Sequence, residues 1–364
     1  MSDSSELLRQ LIAIDSVNPG LVPGAKGEQE IARFVASWLE RAGLDVTLEE
    51  VAPERFNVIG TVRGSGEGRS LMLNAHMDTV GHSGMVDPLV GRIEGQRMYG
   101  RGSYDMKGSL AAIMLAGARA VERQLEGDLV VAAVADEEVA SLGTSALTSE
   151  PPDAAIVTEP TEMRPAIAHK GFVAFEIETE GRAAHGSRPD LGRDAIARMG
   201  HVLVRVEALD ASLRATRSHP LLDSGSVHAS VIEGGQEYSS YPERCLLKGE
   251  RRTVPGETVA LVQGEIERLL GDLAGTSRVT FAREPFEVGE HEPIVELVRR
   301  HAGTSDVVGV AYWADSAILA AAGVPTVLFG PSGAGAHANV EWVDLDDVSR
   351  CADIYFAVAE EFCG

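Results

Sequence analysis

Cysteine is scarce in this chain, and long apolar runs are missing. The three cysteines, Cys245, Cys351 and Cys363, are widely spaced and form no CxxC pair, which argues against a disulfide framework and a cysteine zinc knuckle. No stretch of about 18 apolar residues occurs, so no membrane span is expected. The beginning of the chain lacks a basic region followed by an apolar stretch. We therefore expect no secretory signal and a cytoplasmic protein.

Positive charge is scarce as well. The sequence has 32 Lys and Arg against 55 Asp and Glu, which gives a formal net charge of −23. Nucleic acids and anionic membranes select basic surfaces, so neither is an expected partner. Much of the acidic excess is typical of a self-repelling protein surface. Several acids, however, lie inside motifs that suggest chemistry.

The order of apolar segments predicts two domains in the 364 residues. In 1–171 and 286–364, apolar strands alternate with amphipathic helices, and polar residues follow the strands. This pattern predicts an open, mostly parallel α/β sheet flanked by helices, with ligands beyond the carboxyl ends of its strands. Residues 172–285 follow the order β-α-β-β-α-β instead, which predicts an inserted ferredoxin-like α+β domain. The apolar face of residues 27–43, which ends at Gly43, is typical of the predicted helices.

Five separated segments contain the His, Asp and Glu residues that one dinuclear metal site needs. Two imidazoles and at least three carboxylates form an oxygen-rich donor set, which suits zinc, cobalt or manganese better than copper or an iron–sulfur cluster. The candidates are His76 and Asp78 in NAHMDTV, Asp105 in YGRGSYDMKG, Glu137 and Glu138 in VADEEVASLG, Glu159 in AIVTEPT, and His337 in GAHANVEWV.

The local sequence around these residues suits a shared site. His76 and Asp78 end an apolar strand and point to the same face, because side chains alternate along a strand. Glu137 and Glu138 are adjacent and therefore diverge, so one can face a metal while the other faces the substrate side. Each residue alone has an ordinary alternative, such as a core histidine, a capping acid or a solvated loop. The interpretation as a metal site rests on their occurring together.

Seven motifs, taken in order, resemble the dinuclear zinc aminoacylase and exopeptidase family. That family includes acetylornithine deacetylase, succinyl-diaminopimelate desuccinylase, aminoacylase and glutamate-releasing carboxypeptidase. The resemblance runs from about residue 5 to 360; each motif is weak alone, but the ordered set is specific. The motifs are HMDTV, YGRGSYDMKG, DEEVASLG, TEPT, GRAAHGSRPDLGRDAI, RRTVPGE and GAHANVEWV.

The resemblance implies a zinc-exopeptidase-like catalytic domain with an inserted lid or dimerisation domain. It also implies two divalent metal ions, with Zn²⁺ as the usual ion and Co²⁺ or Mn²⁺ as alternatives. By this resemblance, His76 and Glu159 hold one ion, Glu138 and His337 hold the other, and Asp105 bridges the two.

The same resemblance implies roles around the metals. Glu137 is the implied general base, and Asp78 the carboxylate that orients the ring of His76. His185 resembles the histidine that reaches the reacting carbonyl, which in dimeric members comes from the neighbouring subunit. Arg252 resembles the arginine that contacts a substrate carboxylate.

Three of these substrate-side assignments have alternatives. His185 could be a loop or interface residue without chemistry, and Arg252 could simply pair with Glu250 or Glu257. Ser239 stands where many members have Asn, which changes the reach of a contact on the substrate side. Glu250 replaces the usual Asp two positions before the arginine.

The expected function is hydrolysis of the amide bond of an N-acyl amino acid, as in acetylornithine deacetylase. The first alternative is a metallo-carboxypeptidase or dipeptidase acting on small peptides, and a further one is an N-carbamoyl amidohydrolase. A non-catalytic binding protein should have lost a ligand or the base, and all are present. The expected partners are a small acyl amino acid or short peptide and, by resemblance, a second copy of the chain bound through the inserted domain.

Overall fold

The structure, a computed structural model, describes residues 3–364. None of the helices in that range is both long and apolar enough to cross a membrane. The helices are α1 (Asp3–Ile12), α2 (Gln29–Arg41), α3 (Gly108–Ala120), α4 (Leu142–Ala146), α5 (Ala195–Ala215), α6 (Val259–Leu270), α7 (Pro293–Ala302), α8 (Ser316–Ala321) and α9 (Leu345–Cys363).

The strands range from two to ten residues in length. They are β1 (Asp45–Ala52), β2 (Arg55–Val62), β3 (Leu71–His76), β4 (Arg92–Glu94), β5 (Arg97–Tyr99), β6 (Leu129–Val134), β7 (Ala154–Val157), β8 (Ala166–His169), β9 (Gly171–Glu180), β10 (Ser226–Gly234), β11 (Arg244–Thr253), β12 (Gly275–Arg283), β13 (Phe286–Glu287), β14 (Val308–Val310), β15 (Thr326–Leu328), β16 (Gly333–Ala334) and β17 (Trp342–Asp344).

Contacts divide the chain into two compact units. The first comprises the described residues up to Ile167, together with Val288–Val308 and Ala314–Gly364. The second comprises Ala168–Glu287 and Gly309–Trp313. The first unit is therefore discontinuous in sequence. The short segment Gly309–Trp313, which the sequence pattern assigned to the first domain, belongs with the second unit.

The first unit is built on a sheet in the order β1-β2-β6-β3-β7-β15-β8. Its four central strands, β6, β3, β7 and β15, are parallel, and the strands towards the edges are antiparallel. The residues of β3 and β7 are buried throughout, as expected of parallel strands covered on both faces. Helix α3 packs against α9 and against β3 and β6, and α2 packs against β2. The predicted α/β class is confirmed.

A second, small sheet in the first unit has the order β16-β17-β5-β4, and all its pairs are antiparallel. In the pairing of β17 with β5, Trp342 lies opposite Tyr99. Because β5 leads into the segment that contains Asp105 and β17 follows the segment that contains His337, this sheet joins two distant parts of the sequence.

The second unit contains an antiparallel sheet in the order β10-β11-β9-β12. Strand β9 alternates between buried and partly buried residues, and Val173, Phe175 and Ile177 point into the core. Buried residues of α5 and α6 belong to the same core. The β-α-β-β-α-β order with this strand arrangement is ferredoxin-like.

Candidate metal centre

Three adjacent parallel strands end at the same edge of the large sheet. Strand β3 lies between β6 and β7, and His76 is its last residue. Glu137 and Glu138 follow β6, and Glu159 follows β7 by two residues. Parallel strands place their carboxyl ends together, so these acids converge with His76.

The other two ligand candidates come from loops that the small sheet joins. Asp105 follows Gly102, whose φ of 78° is a left-handed conformation that glycine adopts without strain. His337 has a φ of 62°, which is uncommon for a residue with a side chain. The sequence places these loops more than 200 residues apart, and the β5–β17 pairing brings them together.

The two oxygens of Asp105 face two different imidazoles. Its Oδ1 lies 3.1 Å from Nε2 of His76, and its Oδ2 lies 3.2 Å from Nε2 of His337. Glu159 Oε1 is 3.9 Å from the same nitrogen of His76, and Glu138 Oε2 is 3.2 Å from that of His337. The five residues therefore form two three-donor sets that share Asp105.

Asp78 hydrogen-bonds to the loop that contains Glu137 and Glu138. Its Oδ1 accepts a hydrogen bond from the main-chain N–H of Glu137, and its Oδ2 from that of Glu138, both at 3.1 Å. Asn18 also donates to Oδ2 at 2.7 Å. The ring Nδ1 of His76 lies 2.9 Å from the main-chain carbonyl of Asp78 and 3.6 Å from its carboxylate. The acceptor that orients the ring of His76 is thus a main-chain carbonyl, while the Asp78 carboxylate holds the loop that contains Glu137 and Glu138.

Burial and crowding of like charges dominate the electrostatics. Burial raises the pKa of Glu137 and of Glu159 well above the ordinary value, and neighbouring carboxylates raise both further. Burial alone would raise the pKa of Asp105, but hydrogen bonds from His337 and His76 outweigh it and hold that pKa below its usual range. Hydrogen bonds to Asp105 and Glu138 raise the pKa of His337 to about 10. The cluster thus gathers several carboxylates around two imidazoles in a buried setting.

The donor set fits divalent cations. His76 and Glu138 belong with Asp105 to a group whose ligand atoms lie within 4.8 Å of one another, and His76, Glu137 and Glu159 form a second such group. Oε1 of Glu138 is buried and makes no hydrogen bond within the described residues, so it is free to bind a cation. Mixed imidazole and carboxylate donors suit Zn²⁺, Co²⁺ or Mn²⁺.

The structure reveals supporting residues that the sequence analysis did not single out. Asp315 is buried and accepts a hydrogen bond from Thr144 Oγ1 at 2.5 Å, and its charge helps raise the pKa of Glu137. Burial, together with nearby carboxylates, raises the pKa of Tyr104 to about 12, so this phenol keeps its proton at neutral pH. Tyr104 stands next to Asp105 in a motif and could have been noticed, whereas Asp315 lies outside every motif.

His185 and Ser239 lie together in the second unit. The main-chain N–H of Gly186 donates to the carbonyl of Ser239 at 2.6 Å, and His185 forms a β-bridge with Ser240. His185 is exposed, and its Nδ1 lies 2.8 Å from Oγ of Ser187. An exposed, locally oriented imidazole is available to an incoming ligand.

Arg252 lies at the opposite end of the same sheet. In the pairing of β11 with β9, Arg252 faces Phe172 while Arg244 faces Glu180, and the His185 loop follows Glu180. Eight residues of extended strand separate the two ends, which is about 27 Å. The Arg252 guanidinium donates to Glu250 at 2.6 Å and lies over the ring of Phe172.

Comparisons with known proteins agree with this fold and show the family. Residues 72–361 match the model of Peptidase family M20/M25/M40. The acetylornithine deacetylase of Myxococcus xanthus is 30% identical over 391 residues, which cover 100% of both chains.

Solved structures give the same result for the fold. A tripeptidase from Staphylococcus aureus superposes with a TM-score of 0.80 at 18% identity, covering 99% of this chain and 98% of the other. A dinuclear metal binding peptidase of the M20 family from Bacillus subtilis superposes with a TM-score of 0.74 at 15% identity, covering 99% of this chain and 97% of the other.

The protein is a metal-dependent hydrolase. The chain belongs to Peptidase family M20/M25/M40.

Proposed function

We propose that the protein hydrolyses the amide bond of an N-acyl amino acid, releasing a carboxylate and the free amino acid. The observation that carries this proposal is Asp105, whose two oxygens face the two histidines of two three-donor sets. The similarity to an acetylornithine deacetylase over the full chain supports an acyl amino acid in preference to a peptide.

Two divalent ions would be held in this proposal by the five residues already described. His76 and Glu159 are the donors of one position, Glu138 and His337 of the other, and Asp105 is shared. When bound, two such ions lower the pKa of water from about 15.7 to about 7 and stabilise charge on the substrate oxygen. We propose zinc as the usual ion, because it prefers nitrogen and oxygen donors in sets of three with one position left open.

Glu137 is the general base of the proposed reaction. With the ligands proposed above, each metal position has three protein donors without Glu137, which leaves its carboxylate to transfer protons. It removes a proton from the attacking water as the water oxygen bonds to the carbonyl carbon. It then delivers that proton to the nitrogen as the carbon–nitrogen bond breaks. Asp78 keeps Glu137 in place through the main-chain hydrogen bond described above.

The second unit supplies the substrate contacts in this proposal. His185 donates a hydrogen bond to the carbonyl oxygen as negative charge develops there. Arg252 binds the carboxylate of the amino acid with its forked guanidinium, exchanging Glu250 for the substrate. Ser239 lies in the segment next to His185, and its hydroxyl group donates a hydrogen bond to the substrate in this proposal.

We propose a homodimer, which the separation of these two groups supports. One substrate cannot contact His185 and Arg252 of the same copy, because about 27 Å of strand lies between them. Strand β10 is at an edge of its sheet, and Val231 and Ile232 on it are exposed by 43% and 51%. An apolar edge of this kind is suited to pairing with a second copy.

Metal-dependent release of amine from an acyl amino acid is the expected result of a substrate panel. The panel contains N-acetylornithine, N-acetylmethionine, N-succinyl-diaminopimelate, an N-carbamoyl amino acid and several dipeptides, with amine release as the signal. Chelation is expected to reduce turnover to background, and Zn²⁺, Co²⁺ or Mn²⁺ to restore it. Hydrolysis of the dipeptides alone would replace the proposal with a dipeptidase, and hydrolysis of the carbamoyl compound alone with a carbamoyl amidohydrolase.

Mixed dimers test whether two copies share a substrate. His185→Ala and Arg252→Ala chains are each expected to be nearly inactive as pure preparations. When the two are co-expressed, half of the dimers are mixed and one of their two sites is intact. Double-tagged mixed dimers purified from the co-expressed chains should therefore have about half of the wild-type activity per dimer if the dimer is isologous.

The control is a pair of His185→Ala chains with different tags, which should regain nothing on mixing. The measurement is turnover of the best panel substrate by purified double-tagged dimers. If double-tagged dimers of the two different variants stay inactive, both groups act within one copy. If either pure variant keeps near-normal turnover, that residue has no role in the reaction.

A further inference from the structure

Glu341 is a buried carboxylate four residues after His337, and it is only 1% exposed. Its Oε1 accepts hydrogen bonds from the main-chain N–H groups of Tyr104 at 2.9 Å and Asp105 at 3.1 Å. Its Oε2 accepts from the main-chain N–H of Gly102 at 3.0 Å. Three of its partners are therefore main-chain groups of the segment that presents Asp105.

Arg101 extends these contacts to the segment that presents His337. Its Nη1 donates to Oε2 of Glu341 at 2.6 Å, and its Nη2 donates to the carbonyl of Ala338 at 3.0 Å. Arg101 is buried, with 3% of its surface exposed. The pair thus joins the two loops in both directions, each side chain reaching the main chain of the other loop.

Geometry distinguishes this pair from an ordinary buried ion pair. A buried ion pair is by itself weak evidence for stability, because desolvation offsets the attraction. Here the carboxylate satisfies three main-chain donors at the start of an irregular π-helical turn, Ser103–Lys107, which the left-handed Gly102 precedes. Only a group with two acceptor oxygens can accept all four hydrogen bonds at once.

We propose that Glu341, together with Arg101, is a positioning residue that fixes the spacing between Asp105 and His337. This inference rests on the metal centre of the proposed function. His76 and Glu159 are held by strand ends, so the pair matters most for the cation bound by Glu138, His337 and Asp105. Asp105 and His337 would hold a cation as ligands already in place, because the Arg101–Glu341 pair orders both of their loops.

Glu341→Gln tests the proposal by metal titration. The amide keeps the shape of the side chain but replaces one acceptor oxygen with a donor, so two of the four hydrogen bonds are lost. Zn²⁺ and Co²⁺ are titrated against a competing chelator. One of the two equivalents is expected to bind about 10–100-fold more weakly, with a changed Co²⁺ absorption spectrum, while the other stays near its wild-type affinity.

Glu257→Gln is the matched control. Glu257 accepts from both terminal nitrogens of Arg251 and from the main-chain N–H of Val254, so the substitution removes the same kind of contacts within the second unit. It is expected to lower the melting temperature of the metal-free protein without changing either metal affinity. Unchanged metal affinities in Glu341→Gln would overturn the proposal, and so would an equal loss of affinity in the control.

Arg101→Lys is a second variant that tests the same proposal if Glu341→Gln does not fold. Lys keeps a positive charge beside Glu341 but cannot also reach the Ala338 carbonyl with a second donor. The same metal equivalent is expected to be weakened by a smaller factor, and an Arg101→Lys variant with wild-type titration curves contradicts the proposal. The titration needs no substrate, so a wrong substrate class for the proposed function would leave this result unaffected.

Discussion

Replacing Glu137 by Gln is expected to lower kcat by about 10²–10⁴-fold while both metal equivalents remain bound, which is the usual contribution of a general base. The amide has nearly the same shape as the carboxylate but cannot take a proton from water. The main-chain N–H of residue 137 still donates to Asp78, so the loop keeps its position. Turnover of the best substrate and metal content per chain are measured on the same preparation.

Glu138→Gln is the control for this experiment, because it alters the adjacent residue on the same loop. Glu138 lies 3.2 Å from His337, so this variant is expected to lose metal affinity as well as activity. Glu137 also groups with His76 and Glu159 within 4.8 Å. If Glu137→Gln loses a metal equivalent, Glu137 is a ligand; if it keeps near-normal kcat, Glu137 is not the base.

The part of the metal centre that lies at the ends of strands could be predicted from the sequence. Apolar runs that end in His76 and Glu159 predict buried parallel strands, and parallel strands place their ends together. The helix predicted over 27–43 is observed over Gln29–Arg41, and Gly43 has a φ of 96° that favours glycine after a helix end.

The part of the metal centre that lies on loops could be predicted only from the resemblance to known enzymes. Asp105 and His337 meet because β5 pairs with β17, and these strands have only three residues each. Segments this short have no measurable periodicity, so no pattern in the sequence predicts their pairing. The ordered motifs supplied the connection instead.

The supporting hydrogen bonds were the least predictable part. The acceptor for His76 Nδ1 is a main-chain carbonyl, and every residue has one, so residue types do not identify it. Glu341 lies within the His337 motif but looks like any other acid, because its partners are the main-chain N–H groups of another loop. Contacts of this kind follow from tertiary structure alone.

The separation of His185 from Arg252 could be predicted from the sequence only in part. Both residues were assigned by resemblance; His185 follows one predicted strand of the insert, and Arg252 lies within another. Antiparallel pairing in a ferredoxin-like order places the start of one strand beside the end of the next. With the register of β9 and β11, the two residues must lie at opposite ends of the sheet. The dimer proposal therefore depends on a register, which only the structure supplies.

Replacing Asp105 by Ala is expected to weaken both metal equivalents, because its two oxygens serve two positions. Each position is left with one histidine and one glutamate, and no shared anion separates the two cations. Removing one partner of a buried charge pair costs about 3–5 kcal/mol, which corresponds to about 10²–10⁴ in affinity. Chelator competition measures the affinities, and melting temperatures with and without metal measure the linked stability.

Asp15→Ala is the control for this experiment, because Asp15 is a partly buried acid of the same unit that pairs with His82 outside the centre. Its metal affinities and metal-induced rise in melting temperature should match the wild type. If Asp105→Ala still binds two equivalents with unchanged affinity, Asp105 is not shared between the positions. If it loses one equivalent only, Asp105 serves a single ion, and Glu137, which groups with His76 and Glu159, becomes the third donor of the other. In that case Glu137 is not the general base, and Glu137→Gln should then also lose a metal equivalent.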